Sequence, residues 1–178
     1  MIAFGPVPSR RLGRSLGINH IPPKVCTYSC AYCQLGATRR LVDGRAPFRE
    51  PDTVVDAVKA KVEAVRAAGE SIDYLTFVPD GEPTLDEGLG RMIGALRPLG
   101  IPVAVVTNGS LLHREDVREE LAAADLVSIK VDAVGEASWR RINRPHGRLE
   151  LPRVLEGVRK FAAGFPGRLV TETMLLDD

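Results

Sequence analysis

Residues 72–109 read IDYLTFVPDGEPTLDEGLGRMIGALRPLGIPVAVVTNG, and this stretch decides the fold. It opens with an apolar run over 72–78 and closes with another over 103–107, and runs of this length are typical of buried strands. Between the two runs, apolar residues recur every three or four positions until Pro98 and Gly100 end the helix. Two apolar strands joined by an amphipathic helix predict a βαβ unit with parallel strands.

The same alternation continues on both sides of this unit. Pro51 opens a helix that Gly69 stops, and the apolar run over 126–131 predicts a further strand. The other predicted elements are strands over 14–20 and 168–176 and helices over 113–123 and 151–163. The sequence therefore predicts an α/β fold with about five parallel strands and four helices.

Polar segments follow the predicted strands at the points where each strand ends. They are DGEP at 80–83, TNG at 107–109 and KVD at 130–132, and the long stretch at 21–50 follows the first strand. Because the carboxyl ends of parallel strands meet at one edge of a sheet, we expect these four segments to surround a single site.

The stretch at 21–50 holds all three cysteines, Cys26, Cys30 and Cys33, in the spacing C-x3-C-x2-C. Thiolates at this spacing can bind a common metal centre. A closed zinc site needs four ligands, and an ordinary electron-transfer iron–sulfur cluster needs four cysteines. The histidines that could supply a fourth ligand, none of them at a zinc-finger spacing, are His20, His113 and His146. We interpret the motif as a cluster one ligand short, with one iron open to a substrate or cofactor.

The composition limits the class of protein. The 178 residues are 44% hydrophobic, which suits a single globular domain over 1–178. A formal net charge of +1 argues against a strongly basic nucleic-acid binder, and three cysteines are too few for a disulfide scaffold. Since the sequence has no signal peptide and no apolar run of ~20 residues, we expect no membrane segment and a cytoplasmic protein with reduced thiols.

Several motifs together resemble those of one enzyme family. The cysteine motif reads CTYSCAYC at 26–33 with an aromatic residue before its last cysteine, and DGEPTL at 80–85 follows the second strand. With the TNG and KVD segments in order behind them, they resemble the radical S-adenosylmethionine (radical SAM) superfamily. VPSRRLG at 7–13 and QLG at 34–36 are similar to a subgroup of iron–sulfur oxidoreductases related to the wyosine-base tRNA-modifying and molybdenum-cofactor branches.

The resemblance implies a partial (β/α) barrel with its helices outside. The family's core has six βα units, so we expect the sixth unit to be missing, in a chain that is short or truncated after Asp178. The implied cofactors are one four-iron four-sulfur cluster, held by Cys26, Cys30 and Cys33, and S-adenosylmethionine. The implied reaction is reductive cleavage of S-adenosylmethionine to a 5′-deoxyadenosyl radical that removes a hydrogen atom from a substrate.

The resemblance also assigns roles to residues near the cysteines. Tyr32 is expected against the cluster and near the adenine, with a packed loop aromatic as the alternative. Gly81, Glu82 and Pro83 resemble the segment that binds the methionyl amino group, with Gly81 permitting close approach of backbone. Family members often have two glycines there, and Asp80 stands in the first position of this chain. The alternative is an ordinary strand-to-helix turn.

The later segments supply the other candidate cofactor-binding residues. Thr107 and Asn108 lie in a segment that is equally a plain Asn-Gly turn. Lys130 either binds the cofactor carboxylate or reaches solvent at a strand end, and Asp132 follows it in the same segment. Glu172, on the last strand, is expected to bind the ribose or to pair with Lys130.

The sequence and the resemblance say less about the reductant and the substrate. A reductant such as flavodoxin or ferredoxin is implied, and we favour an RNA base as the substrate, with glycyl-radical activation, peptide modification and a non-catalytic zinc or iron–sulfur module as alternatives. His146 is a candidate substrate contact. Loop cations that either meet an anionic substrate or are merely solvated are Arg10, Arg11, Lys24, Arg39, Arg40, Arg45, Arg140, Arg141 and Arg144.

Overall fold

The computed structural model describes residues 1–176 and has the mixed α/β fold expected. The end of the predicted domain, residues 177–178, lies outside the described residues. The strands are β1 (Ala3–Ser9), β2 (Gly13–Ile18), β3 (Val25–Cys26), β4 (Arg40–Leu41), β5 (Tyr74–Phe77), β6 (Val103–Thr107), β7 (Leu126–Lys130) and β8 (Arg168–Glu172). The helices are α1 (Pro51–Ala67), α2 (Leu89–Leu96), α3 (Glu115–Leu121), α4 (Glu136–Asn143) and α5 (Leu151–Gly164).

Six strands form the main sheet in the order β1-β2-β5-β6-β7-β8. The five strands from β2 to β8 in this order pair in parallel, which confirms the predicted number, and β1 adds to the edge antiparallel to β2. The short strands β3 and β4 pair with each other in a separate two-stranded parallel sheet.

Alternate residues of the parallel strands face two different layers. Val103 and Val105 of β6 belong to the large core beneath the helices, whereas Ala104 between them belongs to a smaller cluster with Leu12 and Leu126 on the opposite face. Burying a valine or leucine side chain stabilises the fold by about 1.5–3 kcal/mol. The helices therefore cover one face of the sheet, and the other face keeps space for a site.

Four of these helices and strands were not predicted from the sequence: β1, α4 and the short strands β3 and β4 within the stretch at 21–50. Pro6 and Pro8 interrupt β1 and conceal it in the sequence, and these prolines are tolerated because β1 is an edge strand. α4 carries only two large apolar residues, Trp139 and Ile142, so its sequence shows no helical repeat, although Trp139 and Asn143 are buried. The last strand, predicted over 168–176, ends at Glu172.

The carboxyl ends of the parallel strands meet at one edge of the sheet, as predicted. The loop after β5 contacts the end of β6 through Glu82 and Asn108, and the segment after β7 contacts Met174 beyond β8 through Asp132. Within residues 1–176, no helix is both long enough and apolar enough to cross a membrane.

Candidate functional site

The three cysteines are gathered around one cavity. Cys26 ends β3, and Cys30 and Cys33 lie in the loop that leads to β4, so the pairing of the two short strands closes this loop at its base. All three thiols are free and half-buried, and they line a cavity of about 180 Å³ together with Gly81. The structure therefore brings the whole motif and the loop after β5 into contact with the same space.

The donor set of this cavity fits a cluster with three protein ligands. None of the three histidines lines it. Within residues 1–176, no group of three or more His, Cys, Asp or Glu side chains converges to hold a single metal ion. A multi-iron cluster takes each thiolate on a different iron, so three thiols on one cavity suit three of its irons.

The environment of the thiols controls their protonation. Burial, followed by the charge of Glu82, raises the pKa of Cys26 to about 12. Burial also raises the pKa of Cys30, while the hydrogen bond from Asn143 opposes the shift. Because metals bind the thiolate, loading this site releases protons and is favoured by rising pH.

Glu82 is a buried bridge between two loops. Its carboxylate accepts hydrogen bonds from the Thr84 hydroxyl at 2.6 Å, the Thr107 hydroxyl at 2.5 Å and the Asn108 backbone N–H at 2.8 Å. Burial raises the pKa of this carboxyl, and these donors oppose the shift. With its side chain fully buried and its oxygens committed to these donors, Glu82 joins the β5 loop to the end of β6. Pro83 and Thr107 are buried beside it.

Gly81 permits a close backbone approach, but the approaching group belongs to the chain itself. A Cβ atom at this position would lie 2.1 Å from the carbonyl oxygen of Val25. The same carbonyl accepts the backbone N–H of Glu82 at 3.1 Å. Gly81 therefore lets β3, and with it Cys26, pack directly against the loop after β5.

Asn108 is more than a turn residue. Its side-chain amide donates to the Thr27 hydroxyl at 2.7 Å and to the Cys26 sulfur at 3.6 Å. Its side-chain carbonyl accepts the Ser110 N–H at 2.9 Å, and the Ser110 hydroxyl in turn contacts Thr27. The end of β6 is thus tied to the cysteine motif. The sequence did not single out Thr27 or Ser110, because neither follows a cofactor-binding pattern.

A second network surrounds Asp132. This carboxylate accepts the Tyr32 hydroxyl, the Asn143 amide at 2.7 Å and the Met174 N–H at 2.8 Å. Lys130 lies 4.0 Å from Asp132, and its ammonium stands 4.9 Å from the centre of the Tyr32 ring. Burial and Asp132 together hold the pKa of Tyr32 well above its ordinary value, so this hydroxyl stays protonated.

The second cavity adjoins the first and has a volume of about 540 Å³. Tyr32, Cys33, Lys130 and Glu172 line it, and Cys33 lines both cavities. Glu172 forms an ion pair with Arg11 and accepts the Ser128 hydroxyl at 2.5 Å, so its direct ionic partner is Arg11 rather than the predicted Lys130. These contacts, with the charge of Lys130, lower the pKa of Glu172 against the effect of burial.

The loop cations divide into distinct environments. Arg45 does not face solvent as expected: its side chain is 5% exposed and pairs with Asp116 and Glu120 of α3. Arg140 pairs with Glu136 one helical turn away. His146 lies 3.7 Å from Asp43 and lines neither of the two cavities described above. Arg39 and Arg40 are exposed beside the cysteine loop.

A parallel sheet that gathers free thiols, a buried carboxylate and two joined cavities at one edge is typical of an α/β cofactor-binding domain. The sequence model of the radical SAM superfamily matches residues 21–178, and the chain belongs to this superfamily. Members use an iron–sulfur cluster and S-adenosylmethionine, which are the cofactors of this chain.

Known relatives cover nearly the whole chain. UPF0026 protein MJ1312 of Methanocaldococcus jannaschii is 52% identical over 175 residues, which are 98% of this chain and 54% of that protein. The GTP 3′,8-cyclase of Xanthomonas axonopodis pv. citri is 30% identical over 137 residues, which are 76% of this chain and 39% of that protein. The chain thus spans about half the length of the first relative.

Solved structures share the fold. A structure of TYW1 with a lysine–pyruvate adduct bound matches at a TM-score of 0.66 and 21% identity, over 91% of this chain and 55% of that one. Streptococcus suis SuiB bound to S-adenosylmethionine matches at 0.62 and 14% identity, over 89% and 33%. These likenesses confirm the expected partial barrel, and the family match confirms the expected superfamily.

Proposed function

We propose that this chain is a radical SAM enzyme in which Cys26, Cys30 and Cys33 hold one four-iron four-sulfur cluster. The observation that carries the proposal is the gathering of three thiols on a cavity that no histidine lines and that shares Cys33 with a larger cavity. When bound, the cluster and S-adenosylmethionine supply a 5′-deoxyadenosyl radical that removes a hydrogen atom from the substrate.

The residues of the chain have two tasks in this function. Lys130 and Tyr32 line the larger cavity beside Cys33, where an ammonium and an aromatic ring suit the carboxylate and the adenine of S-adenosylmethionine. Glu82, Asn108 and Asp132 act beneath this surface, since their hydrogen bonds fix the loops that carry the thiols and Tyr32. We therefore assign them as positioning residues.

For the substrate we favour an RNA base, supported by exposed Arg39 and Arg40 beside the cysteine loop. A peptide is the second candidate, since one structural neighbour, SuiB, is bound to the precursor peptide SuiA. Flavodoxin or ferredoxin is the proposed electron donor. The three free thiols suit a reducing compartment, so we propose a cytoplasmic location.

The test is anaerobic reconstitution with iron and sulfide, followed by reduction with dithionite in the presence of S-adenosylmethionine. We expect about four irons per chain and formation of 5′-deoxyadenosine. Replacing Cys26, Cys30 or Cys33 by serine is expected to abolish both. A protein that takes up about one zinc and no iron, or a loaded protein that forms no 5′-deoxyadenosine, would overturn the proposal.

A further inference from the structure

Two asparagine side chains donate hydrogen bonds to the cysteine sulfurs. The amide nitrogen of Asn143 lies 3.5 Å from the sulfur of Cys30, and the amide nitrogen of Asn108 lies 3.6 Å from the sulfur of Cys26. Distances of this size are ordinary for N–H donors to sulfur, because the sulfur atom is larger than oxygen. The two donors come from different elements, the last residue of α4 and the loop after β6.

The orientation of each amide is fixed by its other contacts. The Asn143 nitrogen also donates to the Asp132 carboxylate at 2.7 Å, and a carboxylate accepts only from the NH2 end of an amide. The Asn108 carbonyl accepts the Ser110 N–H at 2.9 Å, so its NH2 end faces Cys26. Neither amide can turn its carbonyl toward a sulfur without losing these bonds.

Other groups near Cys30 are already committed. The Tyr32 hydroxyl has one proton and donates it to Asp132, which leaves the Asn143 amide to donate to the sulfur. The backbone of α4 holds the cysteine loop independently, since the Ser29 and Ala31 N–H groups donate to the carbonyls of Asn143 and Ile142. The side chain of Asn143 is therefore not needed to dock the helix.

We propose that Asn108 and Asn143 set the reduction potential of the cluster through hydrogen bonds to two of its three cysteine sulfurs. This inference rests on the proposed function. Reduction adds negative charge to the cluster, and an N–H donor aimed at a ligand sulfur stabilises the more negative state more strongly. Both asparagines thus make the cluster easier to reduce, and they act as positioning and tuning residues rather than catalytic ones.

The test is a redox titration of the reconstituted protein, monitored by the electron paramagnetic resonance signal of the reduced cluster. Asn143→Leu removes the donor to Cys30 and keeps an equal-sized side chain, and Asn143→Ala removes the same donor with a smaller side chain. Asn108→Leu likewise removes the donor to Cys26 and keeps an equal-sized side chain. At a fixed solution potential we expect each change to lower the ratio of reduced to oxidised cluster about tenfold. This corresponds to a midpoint potential that is about 59 mV more negative for a one-electron reduction.

Asn19→Leu is the matched control. Its amide donates to the Asp80 carboxylate at 2.8 Å and its carbonyl accepts the Asp80 N–H at 3.3 Å, and no bond links it to a cysteine. The control is expected to titrate like the wild type. Loaded Asn143 and Asn108 variants that titrate with the control would overturn the inference and leave the proposed function standing. A wild-type chain that assembles no cluster would overturn both.

Discussion

Gly81→Ala tests how the site is held together. The new Cβ would lie 2.1 Å from the Val25 carbonyl oxygen, whereas ordinary contact begins at 3.4 Å, so β3 and the β5 loop would have to separate by about 1.3 Å. That separation breaks the 3.1 Å hydrogen bond from the Glu82 N–H to the same carbonyl. Overpacking of this kind costs about 1–3 kcal/mol, and the lost hydrogen bond adds about 1 kcal/mol.

We therefore expect Gly81→Ala to lower the free energy of unfolding by about 2–4 kcal/mol. Cys26 directly follows Val25, so the displacement also moves a thiol of the cavity and should reduce the iron bound per chain. Urea denaturation at pH 7 measures the first effect, and iron analysis after anaerobic reconstitution measures the second.

Gly94→Ala is the matched control within the same chain. Gly94 lies inside α2 with no atom within 4 Å of the added Cβ, so alanine should stabilise the protein by about 0.5–1 kcal/mol through its higher helix propensity. If Gly81→Ala unfolds within about 0.5 kcal/mol of the wild type and binds normal iron, the close approach of Val25 does not constrain the site.

Two further changes test buried charges. Arg45→Met is expected to lower the free energy of unfolding by about 3 kcal/mol, because Glu120 and the carbonyls of Thr84 and Asp86 each lose a donor worth about 1 kcal/mol, while Asp116 keeps Arg114; an unchanged urea midpoint would contradict this. Burial raises the pKa of Asp86 from its ordinary 3.8 to about 6, so the stability this group contributes is complete below pH 4 and is lost as the pH rises through 6. Asp86→Asn should therefore reduce the fall in unfolding free energy between pH 4 and pH 8 by about 2–3 kcal/mol, and an equal fall in both proteins would refute the assignment.

The parallel core could be predicted because its signals are local. Each buried strand, such as β6, is a continuous apolar run, and each helix between strands repeats its apolar residues at a period that a short window detects. β1 and α4 were not predicted because their own sequences lack these patterns. The prolines of β1 conceal a strand that is tolerated only because the sheet places it at an edge, and α4 has only two large apolar residues, Trp139 and Ile142, too few to show a repeat.

The sequence predicted which segments form the site, but it did not predict which side chains contact each other there. The cysteine spacing and the polar strand ends located the edge where the cavities lie. That Gly81 accommodates Val25 depends on two residues far apart in the sequence, as does the burial of Arg45 against α3. The sequence does not distinguish a buried arginine from an exposed one. Only the tertiary structure shows which arginines support a loop and which could contact a substrate.

The turn between β1 and β2 forms part of the larger cavity of this partial barrel. β1 and β8 are the two edges of the sheet, yet Arg11 in the turn forms an ion pair with Glu172 of β8. The turn therefore reaches across one face of the sheet to the opposite edge strand. Leu12, next in the turn, packs on Ala104 and Leu126 across the concave face. Since Arg11 and Leu12 both line the 540 Å³ cavity, the hairpin supplies a wall that the parallel strands alone do not provide.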